Sequence, residues 1–177
     1  MHSVHGLVEA EAFGSERDGN VSEKKIEAQG KLERLSHGVL NRCFGCGERN
    51  KAGLRLRFYV DAEHVIVCRV RLARRFEGPP GHAHGGVIAT LLDEAMSKAN
   101  RQFGVLAMTR HIEVEYLKPV PLGAKLLLAG RHTGVGGRKH ICEAELTNEK
   151  GELLAQATAL FIEVDRKMLP GALRSRI

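Results

Sequence analysis

The sequence predicts an α+β fold in which an antiparallel sheet wraps around one long helix. One segment has apolar residues at helical spacing, and six segments alternate between apolar and polar residues as strands do. Short runs rich in glycine, proline or asparagine separate these segments. With a single helix and this many strands, a sheet curved around the helix is the layer arrangement that buries the apolar faces of both.

Length and composition indicate one globular domain with polar ends. The chain has 177 residues, of which 43% are hydrophobic, enough for a core of its own. We expect this domain to span residues 38–166. Residues 1–37 are polar and charged, with only a short possible helix over residues 22–35, and they predict a flexible N-terminal tail. Residues 167–177 predict a short basic C-terminal tail.

Charge and composition narrow the classes of function. The net charge of +6 points to an anionic partner, but only 5% of residues are aromatic, and no basic helix or zinc-finger spacing occurs. A phosphorylated small molecule is as good a candidate, and we expect no nucleic-acid partner. No apolar run is long enough to cross a membrane and no secretory signal pattern is present, so we expect no membrane span and a cytoplasmic location.

The four cysteines do not predict a disulfide scaffold, since they are few and irregularly spaced. Cys43 and Cys46 have the spacing of half a zinc site. Two more ligands would complete it, but Cys68 and Cys142 are themselves predicted inside strands. We therefore expect reduced thiols around a tight turn, no metal and no cofactor.

Alternating segments predict two strands before the helix and four after it. The first two cover residues 54–60 and 66–72. The four later strands are predicted over residues 108–118, 126–133, 138–146 and 153–164.

The predicted helix begins after a Gly/Pro cluster and carries two adjacent acids. Its apolar positions fall in one arc of roughly 140°. They are Ile88, Leu91, Leu92, Ala95, Met96 and Ala99. Glu94 stands four residues before Lys98, the favourable order for an exposed helical pair. Asp93 has no such partner, and Asp is a poor residue for a helix interior.

The start of the helix predicts a site for an anion or an oxyanion. Amides after His84 have no acceptor within the helix, and Gly85 and Gly86 have no side chains to keep another group away from the backbone. An ordinary glycine-rich turn into a helix is the alternative at this point.

Several separated motifs together resemble those of the hot-dog acyl-CoA thioesterases. They are Cys43-x-x-Cys46-Gly47 with Asn50 and Gly53-Leu54, Phe76-Glu-Gly-Pro-Pro-Gly81, His84-Gly85-Gly86 with Asp93 nine positions after the His, Tyr116-x-Lys118-Pro119-x-Pro121, Gly137-Arg138-Lys139 and Ala157-Thr-Ala-Leu-Phe-Ile162. With the order of elements, they are similar to the PaaI-like and THEM4/THEM5-like branch of the 4-hydroxybenzoyl-CoA thioesterase superfamily. The resemblance covers about residues 40–165. It implies the hot-dog fold and hydrolysis of a fatty or aromatic acyl-CoA to the free acid and CoA.

The resemblance also implies catalytic roles for residues at matching positions. The acid nine positions after His84 is the catalytic carboxylate in similar enzymes, which selects Asp93. Gly85 is implied to supply an oxyanion amide, with His84 and Gly86 beside it. Thr109, which alternation places on the polar face of its strand, is implied to assist.

A second group of residues is expected to contact the substrate. Arg138 and Lys139 are implied to bind the CoA portion. Glu115 stands where this branch often has a polar amide facing the substrate, and Lys118 belongs to the adjoining Lys-Pro motif. Ser97, a polar helix residue, is expected to help position a water molecule.

Helix geometry predicts that each site is shared between two chains. Gly85 and Asp93 are eight residues apart, which is about 12 Å along a helix. One carbonyl cannot reach both, so we expect a homodimer with two equal sites, possibly within a dimer of dimers. Asp93 would activate a water as general base or attack the carbonyl itself, and the sequence does not choose between these steps.

Three alternatives stay open at this stage. The first is a hot-dog protein that binds acyl-CoA without hydrolysing it. The second is a dehydratase of the same fold, and the third is a zinc-stabilised interaction module built on Cys43 and Cys46.

Overall fold

The computed structural model describes residues 32–35, 42–165 and 167. In this part of the chain, seven strands and one α-helix follow one another as β1 (Glu33–Arg34), β2 (Tyr59–Val60), β3 (Ile66–Val70), a 3-10 helix (Arg74–Phe76), α1 (Gly85–Gln102), β4 (Ala107–Tyr116), β5 (Leu126–Gly136), β6 (Lys139–Asn148) and β7 (Leu153–Glu163). The strands form one antiparallel sheet in the order β1-β2-β3-β5-β6-β7-β4. The predicted α+β architecture is therefore confirmed. None of the helices among these residues has the length and apolar character needed to cross a membrane.

The core lies between α1 and the sheet. α1 contacts β3, β4, β5, β6 and β7, so the sheet curves around it. The six apolar helix residues predicted to form the buried arc are all buried. The helix and sheet approach closely at Gly130 of β5, where a Cβ atom would lie 2.8 Å from the backbone of Ala95. Glycine at this position therefore allows α1 to pack closely against the sheet.

The strand predicted over residues 54–60 is shorter than expected. Of this stretch, β2 alone forms strand pairs with other residues that the structure describes. The amides of Leu54 and Leu56 donate instead to carbonyls of the turn at residues 43–46, and Arg55 has a positive φ of 52°, which interrupts the alternation.

β1 lies inside residues 1–37, the segment expected to be a tail. It pairs antiparallel with β2 and so adds an outer strand to the sheet. The rest of the possible helix over residues 22–35 lies outside the described residues. The same is true of residues 167–177, apart from Lys167.

β4 is an edge strand with a bulge near its start. Among the described residues, it pairs with β7 and with no other strand. Thr109 and His111 lie opposite consecutive residues of β7, so Arg110 between them has no opposite residue. The bulge turns Thr109 to the same face as Ile112, towards α1. The expectation that Thr109 lies on the polar face of its strand is therefore wrong, because the bulge uses one extra residue.

Candidate active site

Asp93 and Thr109 are brought together at the centre of the candidate site. Thr109 Oγ1 donates a hydrogen bond to Asp93 Oδ1 over 2.7 Å. α1 supplies the carboxylate and the bulged part of β4 supplies the hydroxyl. Ser97 is half-buried one helical turn further along. The structure thus places three of the predicted site residues on one face of α1 and the strand beside it.

The surroundings of Asp93 change its acidity. Burial raises the pKa of Asp93 above its ordinary value, because a poorly solvated carboxylate resists ionisation. The hydrogen bond from Thr109 lowers this pKa, since it favours the ionised form. The negative charge of Glu94 raises it and Lys98 lowers it. The result is a carboxylate that binds a proton more readily than an ordinary aspartate does.

His84 caps the start of α1. Its Nδ1 accepts a hydrogen bond from the Gly86 N–H over 2.9 Å. The Gly86 amide is therefore engaged, although we expected it to be open beside that of Gly85. Because Nδ1 accepts, the neutral ring carries its proton on Nε2, an assignment that follows from this hydrogen bond. A Cβ on Gly86 would lie 3.2 Å from Nδ1, so glycine gives the ring room to fold back.

Gly85 keeps its amide available. In the described part of the chain, its N–H donates no hydrogen bond. Its carbonyl accepts one from Tyr116 Oη over 3.1 Å. In the sequence, Tyr116 continues the alternation of the apolar residues Ile112 and Val114, so periodicity alone does not indicate this contact. The signal was present in the Tyr-x-Lys-Pro motif, which places an aromatic hydroxyl at the end of β4.

Arg138 and Lys139 lie far from Gly85. Arg138 donates from Nε and Nη2 to the Glu163 carbonyl, over 3.2 and 2.8 Å, and so holds the end of β7. The adjoining cleft has a volume of about 420 Å³ and is lined by Gly104, Leu106, Arg138, Glu163, Val164 and Asp165. Since Gly104 follows the last turn of α1, the two cations lie at the C-terminal end of the helix and Gly85 at its start.

Glu115 and Lys118 are not brought to Asp93. Glu115 is exposed on the face of β4 that points away from α1, where it accepts a hydrogen bond from the side chain of Gln156. Lys118 makes an ion pair with Glu152, just before β7. Both side chains are thus engaged by the neighbouring β7 region.

Glu94 and Lys98 form a buried ion pair. The expectation of an exposed pair is wrong: Glu94 is 9% exposed and Lys98 is 5% exposed, with Oε2 and Nζ 3.2 Å apart. Cys43 Sγ also donates a hydrogen bond to Glu94 Oε1 over 3.0 Å. The turn at residues 43–46 covers this face of α1, which spacing within the helix cannot reveal.

Both partners of this pair are charged. Burial opposes the ionisation of Glu94, but Lys98 and the two thiols outweigh it and lower the pKa of Glu94. Burial also opposes the charge on Lys98, yet Glu94 and Cys46 raise the pKa of Lys98. Burial raises the pKa of Cys46 to about 11, against the opposing effect of Lys98. The pair is therefore a carboxylate and an ammonium beside a thiol.

A long helix held by a curved antiparallel sheet is the architecture of the hot-dog class of fold. Residues 80–155 match the family model of the thioesterase superfamily. The acyl-coenzyme A thioesterase THEM4 of Rattus norvegicus is 37% identical over 110 residues, which cover 61% of this chain and 47% of that protein. The chain spans about half the length of the curated THEM4 relatives it matches.

Solved structures also show the similarity of this chain to proteins with the hot-dog fold. A thioesterase superfamily protein is 30% identical with a TM-score of 0.67, and the match covers 71% of this chain and 62% of that chain. The PaaI protein of E. coli is 18% identical with a TM-score of 0.59, over 63% of this chain and 81% of that chain, and shows the fold alone. The resemblance to hot-dog thioesterases stated from the sequence is confirmed: this chain has their fold and is related to the THEM4 acyl-CoA thioesterases.

Proposed function

We propose that this chain is an acyl-CoA thioesterase, which hydrolyses a fatty or aromatic acyl-CoA to the free acid and CoA. The observation that carries the proposal is the partly buried Asp93 carboxylate, held by Thr109 over 2.7 Å, on a helix that begins with the open amide of Gly85. The names of the curated relatives, which are acyl-coenzyme A thioesterases, support the same reaction.

The chemistry needs a proton acceptor and a donor to the developing oxyanion. The Gly85 N–H, at the positive end of α1, is suited to stabilise negative charge on the thioester oxygen. With Asp93 as general base, a water oxygen bonds to the carbonyl carbon while Asp93 takes its proton. The C–S bond then breaks, and the proton passes to the CoA sulfur. The alternative, attack by Asp93 to give a mixed anhydride that water then hydrolyses, uses the same two groups.

We propose that the active unit is a homodimer whose two sites each use both chains. Gly85 and Asp93 are about 12 Å apart along one helix, too far to serve one carbonyl. Two antiparallel copies of α1 about a two-fold axis would set the amide of one chain beside the carboxylate of the other. One edge of β4 pairs with no strand in the described part of the chain, and this supports the arrangement, since pairing two such edges would continue the sheet and cover both.

The same arrangement accounts for the position of the CoA-binding candidates. Arg138 and Lys139 lie at the end of α1 opposite to Gly85, and the helix is about 27 Å long. In an antiparallel pair, the cations of one chain would lie on the side of the partner's helix start. We propose that Lys139 and Arg138 Nη1, which does not contact the Glu163 carbonyl, bind phosphate groups of CoA, and that Ser97 orients the water. Glu115 and Lys118 are left out of the proposed site because the β7 region already engages them.

We also propose a cytoplasmic location, as expected from the sequence. All four cysteines lie within the described residues and none forms a disulfide. Reduced thiols fit a compartment in which glutathione and thioredoxin keep cysteines unpaired.

The experiment is release of the CoA thiol from a panel of short, long and aromatic acyl-CoAs. We expect turnover by the wild type and a loss of about 10²–10⁴-fold in kcat for Asp93→Asn, with the fold retained in circular dichroism. Glu149→Gln removes an exposed carboxylate from a remote turn and should leave turnover unchanged. Binding without turnover by the wild type would favour the non-catalytic acyl-CoA-binding protein, and an active Asp93→Asn would remove Asp93 from the reaction.

A further inference from the structure

A cluster of metal-ligand side chains lies where the loop of residues 42–47 crosses α1. Cys43, Cys46 and Glu94 each place one ligand atom within 4.8 Å of those of the other two. Cys43 Sγ is already 3.0 Å from Glu94 Oε1. Cys46 is 1% exposed and Glu94 is 9% exposed, while Cys43 is half-buried. The proposed hydrolysis uses none of these three side chains.

We propose that Cys43, Cys46 and Glu94 bind a zinc ion. Zn²⁺ accepts thiolate sulfur at about 2.3 Å and carboxylate oxygen at about 2.0–2.2 Å in tetrahedral geometry. Ligand atoms of such a site lie roughly 3.5–3.8 Å apart, so the longest distance in the cluster would shorten by about 1 Å at most, and the 3.0 Å between Cys43 Sγ and Glu94 Oε1 would lengthen by about 0.5–0.8 Å. Soft thiolate ligands favour zinc over magnesium or calcium. Three protein ligands leave the fourth position to a water molecule on the side of the half-buried Cys43.

The charges around the cluster fit a divalent ion. Two thiolates and one carboxylate carry three negative charges, and Zn²⁺ would reduce the sum to one. Lys98 Nζ, 3.2 Å from Glu94 Oε2, supplies the remaining positive charge. The occupied site would thus be neutral as a whole, which a buried position requires.

The backbone of the loop is shaped to present the thiols to Glu94. The Gly47 N–H donates to the Cys43 carbonyl over 3.0 Å and closes a turn around the two cysteines. A Cβ on Gly47 would lie 2.5 Å from that carbonyl, and a Cβ on Gly45 would lie 2.2 Å from Glu94 Cγ. Both glycines are therefore needed for the turn to close and to reach α1. The third ligand lies 48 residues beyond Cys46, so cysteine spacing alone could not identify it.

Zinc at this position would stabilise the packing of the loop on α1, with a water in place of the fourth protein ligand that structural zinc sites usually have. It would link the loop to the helix that carries Asp93, at the adjacent residue Glu94, without touching the reacting atoms. The inference is thus independent of thioester hydrolysis, and a failure of one leaves the other standing.

The test begins with the metal content of the full chain, purified without a histidine tag and without chelators. Mass spectrometry of the elements after gel filtration should find about one zinc per chain. Titration of Co²⁺ into the metal-free protein should give thiolate-to-cobalt charge-transfer absorption and the intense visible bands of a tetrahedral site. Cys43→Ser and Cys46→Ser should lose both signals. Cys68→Ser, which removes an equally buried thiol of β3 outside the cluster, should keep them.

A wild-type protein that retains no zinc and gives no cobalt absorption would overturn the proposal, and so would cobalt signals that persist in Cys43→Ser. An intact wild-type mass lower by two hydrogens, with no such difference in Cys43→Ser or Cys46→Ser, would show a Cys43–Cys46 disulfide in place of the metal site, which also overturns the proposal. If Cys46→Ser does not fold, the wild-type spectrum and the half-exposed Cys43→Ser variant decide the matter.

Discussion

Thr109 Oγ1 donates its hydrogen bond to Asp93 Oδ1 from a position that strict strand alternation would turn away from α1. The bulge at Arg110 reverses the direction of Thr109 without disturbing the apolar face that begins at Ile112. The hydroxyl beside the proposed catalytic acid therefore depends on a backbone irregularity in an edge strand.

Removing this hydroxyl should shift the pH dependence of hydrolysis. The hydrogen bond favours ionised Asp93 and lowers its pKa, so Thr109→Ala should raise that pKa further above its ordinary value. Since Asp93 must be ionised to act as base or nucleophile, activity is lost as pH falls through its pKa. The acid limb of kcat/KM should therefore move to higher pH in Thr109→Ala and stay in place in Thr109→Ser. If the acid limb of the kcat/KM profile is unchanged or moves to lower pH in Thr109→Ala, this account is contradicted.

Gly85→Pro tests the oxyanion amide without removing the helix. Proline is accepted at the first position of a helix, and His84, with φ −64° and ψ 136°, already has the conformation that suits a residue before proline. The variant lacks the N–H, and we expect kcat to fall about 10²–10³-fold. Gly85→Ala keeps the N–H, and its Cβ meets the Tyr116 ring at an ordinary 3.6 Å, so it should stay active. Equal activities of Gly85→Pro and Gly85→Ala in a steady-state assay would show that the Gly85 N–H does not stabilise the oxyanion.

Mixing two inactive variants tests the shared site. A heterodimer of Gly85→Pro and Asp93→Asn has one site with both defects and one site with neither. With random reassembly, about half of the dimers are mixed, so about a quarter of the wild-type activity should return. Light scattering should give the mass of a dimer. A mixture that stays inactive although heterodimers form would show that each chain builds its own site.

Lys98→Met should destabilise the fold through Glu94. It leaves a buried carboxylate without its cation, which typically costs about 3–5 kcal/mol, and Glu94→Gln/Lys98→Met should recover part of this loss. Denaturant unfolding in the presence of a chelator measures the effect without any metal contribution.

The pKa shifts of Glu94 and Lys98 determine how the stability difference between the wild type and Lys98→Met depends on pH. The folded-state pKa of Glu94 is lowered, so its contribution is present above its ordinary pKa and is lost as pH falls through the lowered value. The pKa of Lys98 is raised, so its contribution persists until the pH exceeds that raised value. The difference in free energy of unfolding between the wild type and Lys98→Met should therefore be largest at neutral pH and disappear in acid. A stability difference that increases in acid would contradict the assignment of Glu94 and Lys98 as a charged pair.

Lys139→Glu should weaken binding more than chemistry. Lys139 is exposed at the start of β6, and a remote phosphate contact mainly provides uniform binding. KM for acyl-CoA should rise with little change in kcat, and free CoA should inhibit less. Arg138→Glu also removes the contacts to the Glu163 carbonyl, so Lys139→Glu is the cleaner variant. Lys51→Glu, a charge reversal in an exposed turn, controls for net charge, and an unchanged KM in Lys139→Glu would remove this residue from the site.

The parts of the fold that depend on spacing within one segment were predictable. The buried arc of α1 and the four strands after it follow from local periodicity alone. Thr109 was predicted as a site residue, but it was assigned to the wrong face of its strand, because a bulge depends on pairing with β7. Glu94 was assigned to the surface because no pattern inside the helix shows that the turn at residues 43–46 crosses it.

The two adjacent acids of α1 point in directions about 100° apart. Glu94 is held by the ammonium of Lys98 and the thiol of Cys43, on a side of the helix that faces the protein's own loop. Rotation of α1 about its axis would break these contacts before it could redirect Asp93. Glu94 therefore opposes rotation of α1 about its axis, and so helps to keep the direction of the neighbouring Asp93 side chain constant.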